Sequence, residues 1–276
     1  MRTHLLTLEY DSAARRSSPV AELVELYRYR DLLWMMVANI IKTRYKRSAL
    51  GVVWTLLNPL LNMAVLTLAF STLFRFSLPH YPVYVLSGLI FWNFFTQTTL
   101  YAINSLVWGG GLLKRVYIPR TIFSVASVGN GLVNLGLSLI PLVIIMLILG
   151  HSLYAAWWLV PLAVLLAAMF ALGVALFMST VAVYFTDVVD IYQVFIQAAF
   201  FLTPIMYPKE IVPAGLARLM GLNPLFNLLE MFRTPIYQGW IPGPHTVLAA
   251  VLSAVGALLI GWWIFTRKAD EFAYRL

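Results

Sequence analysis

The side chains able to do chemistry in this sequence are few and scattered. There is no cysteine, which removes disulfides, thiolate metal sites and thiol nucleophiles. His4, His80, His151 and His245 lie far apart, in the N-terminal tail or at expected loops and span ends, so no metal site is expected. Neither H-E-x-x-H nor G-x-S-x-G occurs. The nearest approach to a phosphate loop is Gly109-Gly110-Gly111-Leu112-Leu113-Lys114, followed by Arg115. A leucine precedes that lysine where a glycine is required, so ATP is not bound and hydrolysed by that route. Asp187 and Asp190 are the only candidates for an acidic catalytic cluster, and they sit at an expected turn, where a solvated pair is the better reading. No catalytic residue is assigned, and any work the protein does must come from the elements that surround these few polar groups.

Those elements are built for lipid. Hydrophobic residues make up 61% of the 276 and charged residues 11%, against roughly 25% charged in a soluble domain. Because of where the charges fall, the net charge of +8 is read as membrane topology, and no nucleic acid partner is expected. Residues 1–18 carry Arg2, Glu9, Asp11, Arg15 and Arg16 with no apolar stretch, so they read as a polar tail and not as a signal peptide. Three regions are expected: a cytoplasmic tail and interfacial helix (1–47), a membrane domain (48–267) and a cytoplasmic tail (268–276).

A crossing needs about 20 apolar residues. Uncharged runs at 48–74, 76–113 and 121–186, with apolar stretches near 190–207 and 246–266, predict six transmembrane helices. The third run holds two, with the turn at Gly150-His151-Ser152. An all-α membrane fold is expected, since lipid-exposed backbone must bond to itself. Residues 32–41 are apolar but too few to span. Ser18-Pro19 and Glu22 predict a helix start. Leu33, Val37, Ile40 and Ile41 share one face, Trp34 lies in the same stretch, and Arg44, Tyr45, Lys46 and Arg47 close it. This reads as an amphipathic helix lying on the membrane surface. Fifteen of the nineteen lysines and arginines fall on one side of this frame and four on the other, which predicts both termini in the cytoplasm.

The span interiors are nearly free of charge, which disfavours an ion-coupled carrier; energy for active transport must come from another chain. Two features suggest a passage. Phe91, Trp92 and Phe95 in the second span, with Phe200 and Phe201 in the fifth, offer aromatic faces on which sugars stack, although the same face can pack on another helix. The segment 208–244 is long and rather apolar, and Asn223-Pro224 can start a helix that dips back into the membrane. The loop Lys114, Arg115, Tyr117, Pro119, Arg120 is short and basic, suited to seat against a partner; positive-inside topology accounts for its charges equally well.

The run Thr43-Arg44-Tyr45-Lys46-Arg47-Ser48-Ala49-Leu50-Gly51-Val52-Val53-Trp54, ending in Asn58-Pro59, resembles the permease subunits of ABC exporters for lipid-linked polysaccharides: O-antigen, capsule and teichoic acid. Further matches follow in order. They are Ser87-Gly88-Leu89-Ile90-Phe91-Trp92, Lys114 to Arg120, Tyr184-Phe185-Thr186-Asp187-Val188, Thr203-Pro204-Ile205-Met206-Tyr207 and Leu222-Asn223-Pro224. Thr186 stands where arginine is usual. The resemblance implies an ABC-2 type permease in a bacterial cytoplasmic membrane, working as a homodimer with two copies of a separate ATPase subunit. ATP and magnesium would then belong to that partner. It also implies a lateral entrance for a lipid-linked glycan and a channel between protomers. A drug or small-lipid ABC-2 permease is the alternative within this class; a membrane-embedded glycosyltransferase is the alternative outside it.

Overall fold

A computed structural model describes residues 19–46, 51, 53–72, 78–108 and 118–272. Among these, all regular structure is helical. Helices α1 (Pro19–Arg28) and α2 (Arg30–Tyr45) form an N-terminal arm. The sequence predicts one helix here; the structure breaks it at Tyr29, whose φ/ψ of −95°/20° interrupts the turn. Helix α1 begins at Pro19, a favoured first position, with Glu22 in its first turn. Helix α2 buries Val37 and leaves Trp34 73% exposed. Arg44 and Tyr45 fall in its last turn and Lys46 just beyond, while Arg47 lies outside the described residues.

The arm leads to α3 (Val53–Thr72), α4 (Tyr81–Trp108) and α5 (Thr121–Ile148). A turn at Gly150, whose φ of +67° suits glycine, and a 3-10 turn (Ala155–Leu159) lead into α6 (Val160–Tyr184). Then come α7 (Val188–Leu202), α8 (Ala214–Leu222), α9 (Pro224–Arg233) running into a π turn (Thr234–Gln238), and α10 (Pro244–Lys268). Asn223 caps α9 as its position before proline suggests, its side chain accepting from the Leu225 amide at 3.0 Å.

Four stretches are long and apolar enough to cross a bilayer: Val53–Phe70, Thr121–Ile148, Ala155–Tyr184 and Pro244–Lys268. The chain is a multi-pass membrane protein. The two remaining predicted spans take other forms. Helix α4 has 28 residues, but asparagine, glutamine and threonine dilute its hydropathy. Helix α7 has 15 residues and stops at Leu202, not near Tyr207. The reason is Pro204, which lacks an amide hydrogen and pushes Thr203 out of the helical region, to φ/ψ −103°/129°.

Packing is tightest where small residues allow it. Helices α6 and α10 touch backbone to backbone: a Cβ on Gly173 would overlap the carbonyl of Ala257, and one on Gly261 would overlap that of Gly173. Without a hydrophobic drive between helices in lipid, such close approach is a main source of cohesion. Helix α4 runs through the middle, against α3, α5, α6, α7 and α9. Its threonines return their hydroxyls to the preceding turn, Thr96 to the Trp92 carbonyl and Thr99 to that of Phe95, each at 2.9 Å. The outward faces of α3 (Leu61, Val65, Leu68), α5 (Ile140, Ile144) and α10 (Leu252, Leu259, Ile260) are exposed and apolar, as lipid requires.

Candidate functional site

Helix α4 is so enclosed that only Gln97 and Tyr101 are exposed before its last residue, Trp108. With Asn93 and Asn104 they form a stripe at steps of four, four and three residues, one helical face. Helix α5 presents Asn130, Asn134 and Ser138 at steps of four, and α3 contributes Asn58 near its start. The end of α2, at Ile40 and Thr43, closes one side. Together these enclose a groove of about 730 Å³ that reaches from the level of the N-terminal arm into the middle of the bundle. Gly131 permits the wall to form, since a Cβ there would overlap Thr98 Oγ1 and crowd Phe94.

Asparagine and glutamine at this depth are costly against lipid and settle where they face protein or a water-filled cavity. Some are bonded within the wall: Asn62 donates to Asn58 Oδ1 at 2.7 Å, and Ser138 donates to the Asn134 carbonyl at 2.8 Å. Others are not. Asn130 is 7% exposed and its Oδ1 has no partner; Thr98 Oγ1 is likewise buried and unpartnered. Buried polar atoms left unmade are rare. The groove is lined by amides and hydroxyls that both donate and accept, and among the described residues its lining holds no charged side chain and no metal cluster. The aromatic reading of the sequence overlooked it. A signal was present, since Asn93, Gln97 and Asn104 recur at helical spacing inside an uncharged run.

The predicted aromatic residues fall elsewhere. Phe91, Trp92 and Phe95 are 1%, 5% and 4% exposed and packed within the protomer. Their rings meet Phe232 at 6.2 Å, Phe200 at 5.5 Å and Phe170 at 5.7 Å respectively. Phe200 is half-buried, and Phe201 is 60% exposed on the outer face of α7. Of the basic loop, Lys114, Arg115 and Tyr117 lie outside the described residues; Pro119 and Arg120 immediately precede α5. Asp187 and Asp190 are both exposed at the start of α7, where acidic groups complement the helix dipole. His80 and His151, remote in sequence, meet edge to face with ring centroids 5.1 Å apart.

Two polar latches flank the groove. Near the arm, Thr121, the first residue of α5, donates its hydroxyl to Glu22 Oε1 at 3.1 Å, and its amide faces the same oxygen at 3.5 Å. Burial pushes the Glu22 carboxyl above its ordinary 4.5, against the opposing pull of these bonds. At the opposite end, Arg233 is 2% exposed. Its two terminal nitrogens donate to the carbonyls of Pro204 (2.6 Å) and Ile205 (3.0 Å), and its guanidinium lies 4.0 Å above the Tyr84 ring. Tyr84 in turn donates to the Tyr207 carbonyl at 2.9 Å. Lys209 and Glu230 pair at 2.7 Å beside them.

A helical membrane domain that encloses a polar groove, uncharged among the described residues, has the form of a transport component. Residues 31–237 match the ABC-2 type transporter family, and the chain belongs to that family. Among its relatives, an O-antigen export system permease protein RfbA of Myxococcus xanthus is 32% identical over 90% of this chain and 96% of its own length. A protein of the same name from Klebsiella pneumoniae is 25% identical over 88% of this chain and 94% of its own. A polysialic acid transport protein KpsM of Escherichia coli is 19% identical over 83% of this chain and 90% of its own.

Proposed function

We infer that this chain is the membrane permease of an ATP-driven exporter of a lipid-linked cell-surface polysaccharide. The observation that carries this reading is the amide-lined groove. A glycan is covered in hydroxyls and does not cross hydrocarbon without losing its water, and this groove offers replacement hydrogen bonds at membrane depth. The full-length likeness to O-antigen export permeases supports the same cargo class.

The energy comes from a separate ATPase subunit, in two copies, which holds ATP and magnesium; the broken phosphate-loop pattern around Lys114 supports this. The partner docks on the basic stretch from Lys114 to Arg120, with Arg115 and Arg120 pairing to its acidic groups and Pro119 setting the loop geometry. Two permease chains pair, and the apolar outer faces of α3 and α7, with Phe201, lie at or near the seam. The chain crosses a bacterial cytoplasmic membrane six times, α4 and α7 completing the count, with both termini inside as the lysine and arginine distribution favours. The segment between α7 and α10 is re-entrant; its enclosed α9, with Leu228, Leu229 and Phe232 buried, is the form such segments take.

Reconstitution tests this. The permease alone should show no ATP turnover. Paired with its cognate ATPase subunit, it should hydrolyse ATP, and its deletion in the native cell should abolish surface polysaccharide. Hydrolysis by the lone chain, or an unchanged surface glycan after deletion, would overturn the reading. Reversing Arg115 and Arg120 to glutamate should uncouple hydrolysis from export while membrane insertion persists; normal export would leave that loop with topology alone.

A further inference from the structure

We propose that Val194, Gln197 and Phe201 on α7 form the contact that receives a second copy of this chain, with the Gln197 amide meeting its own copy across the twofold axis; this rests on the two-copy reading above and names the residues at its seam. The first observation is a periodicity. Tyr192, Ile196 and Ala199, at steps of four and three, are the buried residues of α7, and the helix packs on α4 and α6. A second set, Asp190, Val194, Gln197 and Phe201, recurs at steps of four, three and four and is exposed throughout. It lies on the opposite side of the helix from the packed face. Its spacing is that of the seam between two helices packed side by side.

The second observation is chemical. Gln197 lies roughly 15 Å along the helix from Asp187, at 1.5 Å of rise per residue. An exposed amide at that depth is costly against hydrocarbon and settles against protein. Among the described residues no hydrogen bond reaches it. Val194 and Phe201 beside it, and Ile191 and Leu202 on the flank, are apolar and exposed. Gln193, one turn earlier at the edge of this face, is close enough to the charged start of the helix to reach water. A lone amide at depth in an apolar stripe is the pattern of a helix contact and not of a wet wall. The groove, by contrast, draws its amides from α3, α4 and α5 together.

Symmetry selects the occupant. Two copies of one sequence enter the membrane in the same orientation. A twofold axis between them therefore runs along the membrane normal and brings each seam residue to its own copy at the same depth. An amide both donates and accepts, so Gln197 satisfies its copy. A single polar residue in an apolar seam also fixes the register, because a shifted contact leaves it unpaired. At the start of the helix the two Asp190 carboxylates repel, which confines the contact to the turns beyond.

The chain has no cysteine, so single cysteines report contact without background. The test expresses the full chain in its native membrane as Val194→Cys, Gln197→Cys or Leu259→Cys, the last on the exposed outer face of α10. Each is oxidised, and the dimer band is followed on non-reducing gels. The two α7 variants should cross-link roughly tenfold faster than Leu259→Cys, since a disulfide needs Cα atoms within about 7 Å. Gln197→Leu should weaken dimerisation of the purified chain roughly threefold, the loss expected for one interhelical hydrogen bond. Failure of both α7 positions to cross-link faster than Leu259→Cys, in a chain that chromatography shows to be dimeric, would overturn this seam and leave the pairing standing. A Gln197→Cys thiol that stays unlinked and reacts with a water-soluble maleimide would put the amide in a wet passage and overturn the proposal equally. A native chain that elutes as a monomer would overturn the two-copy reading and the proposal together.

Discussion

Arg233 is a buried cation whose partners are carbonyls and a ring, and its removal should be among the most damaging single changes in the protein. It holds the Pro204 and Ile205 carbonyls, which the break in α7 leaves without helical donors, and stacks on Tyr84. Each hydrogen bond to a charged group contributes roughly 1.5–3 kcal/mol, and a desolvated cation–π contact about 2. Releasing the guanidinium from its burial offsets part of this. The net loss for Arg233→Met should be about 3–5 kcal/mol, as for other broken buried charge arrangements. At roughly 2–4 °C per kcal/mol for a chain of this size, the apparent Tm in detergent should fall by about 10 °C. Arg233→Lys should fall about half as far, since an ammonium cannot form the two-carbonyl fork. Gly88 supplies a control. A Cβ at Gly88 would overlap Arg233 Nη2 and come within 3.2 Å of the Ile205 carbonyl, so Gly88→Ala should disturb the same latch from outside. The two changes should not add: the double variant should be no less stable than Arg233→Met alone. Thermal unfolding of the four proteins by size-exclusion fluorescence measures this directly. A Tm for Arg233→Met within about 2 °C of the native protein, or full additivity with Gly88→Ala, would refute the reasoning.

Phe91→Ala, Trp92→Ala and Phe95→Ala should each destabilise by roughly 3–5 kcal/mol, because all three rings are packed inside the protomer; unchanged unfolding temperatures with altered export would return them to a passage. Gly173→Leu should prevent stable assembly of α6 on α10, seen as loss of the monodisperse peak on chromatography. Glu22→Ala should cost about 1 kcal/mol through the lost cap on α5, and Glu22→Gln much less. The raised carboxyl of Glu22 favours the fold below its ordinary 4.5 and loses that contribution as pH rises through its shifted value. Acidification toward pH 4.5 should therefore raise the Tm of the native protein relative to Glu22→Gln, and a flat difference across that range would remove the linkage.

The helical, lipid-embedded character of this protein follows from sequence alone, because a chain with 11% charged residues has too few to face water and because backbone in lipid must bond locally. The helix positions follow for the same reason: the turn at His151, the start at Pro224 and the long runs of α3, α5, α6 and α10 are all set by charge-free length and by proline and glycine. The end of α7 was written in Pro204 and missed, since hydropathy continues past it to Tyr207 while helical geometry does not. Tertiary structure decided which face of each helix meets which neighbour. The phenylalanines of α4 look like a sugar-binding ladder along the sequence, yet packing against Phe170, Phe200 and Phe232 turns them inward. The amides of the same helix share a single stripe, but only α3 and α5 folding alongside, with Asn58, Asn130 and Asn134 facing them, make that stripe a groove. Arg233 counts in the sequence as one cation on the outer side; its role depends on a loop 28 residues away, whose carbonyls, left without helical donors, appear only when the chain folds back. Local physics determines where helices begin and end, whereas partners between distant segments arise from close packing, which no single segment encodes.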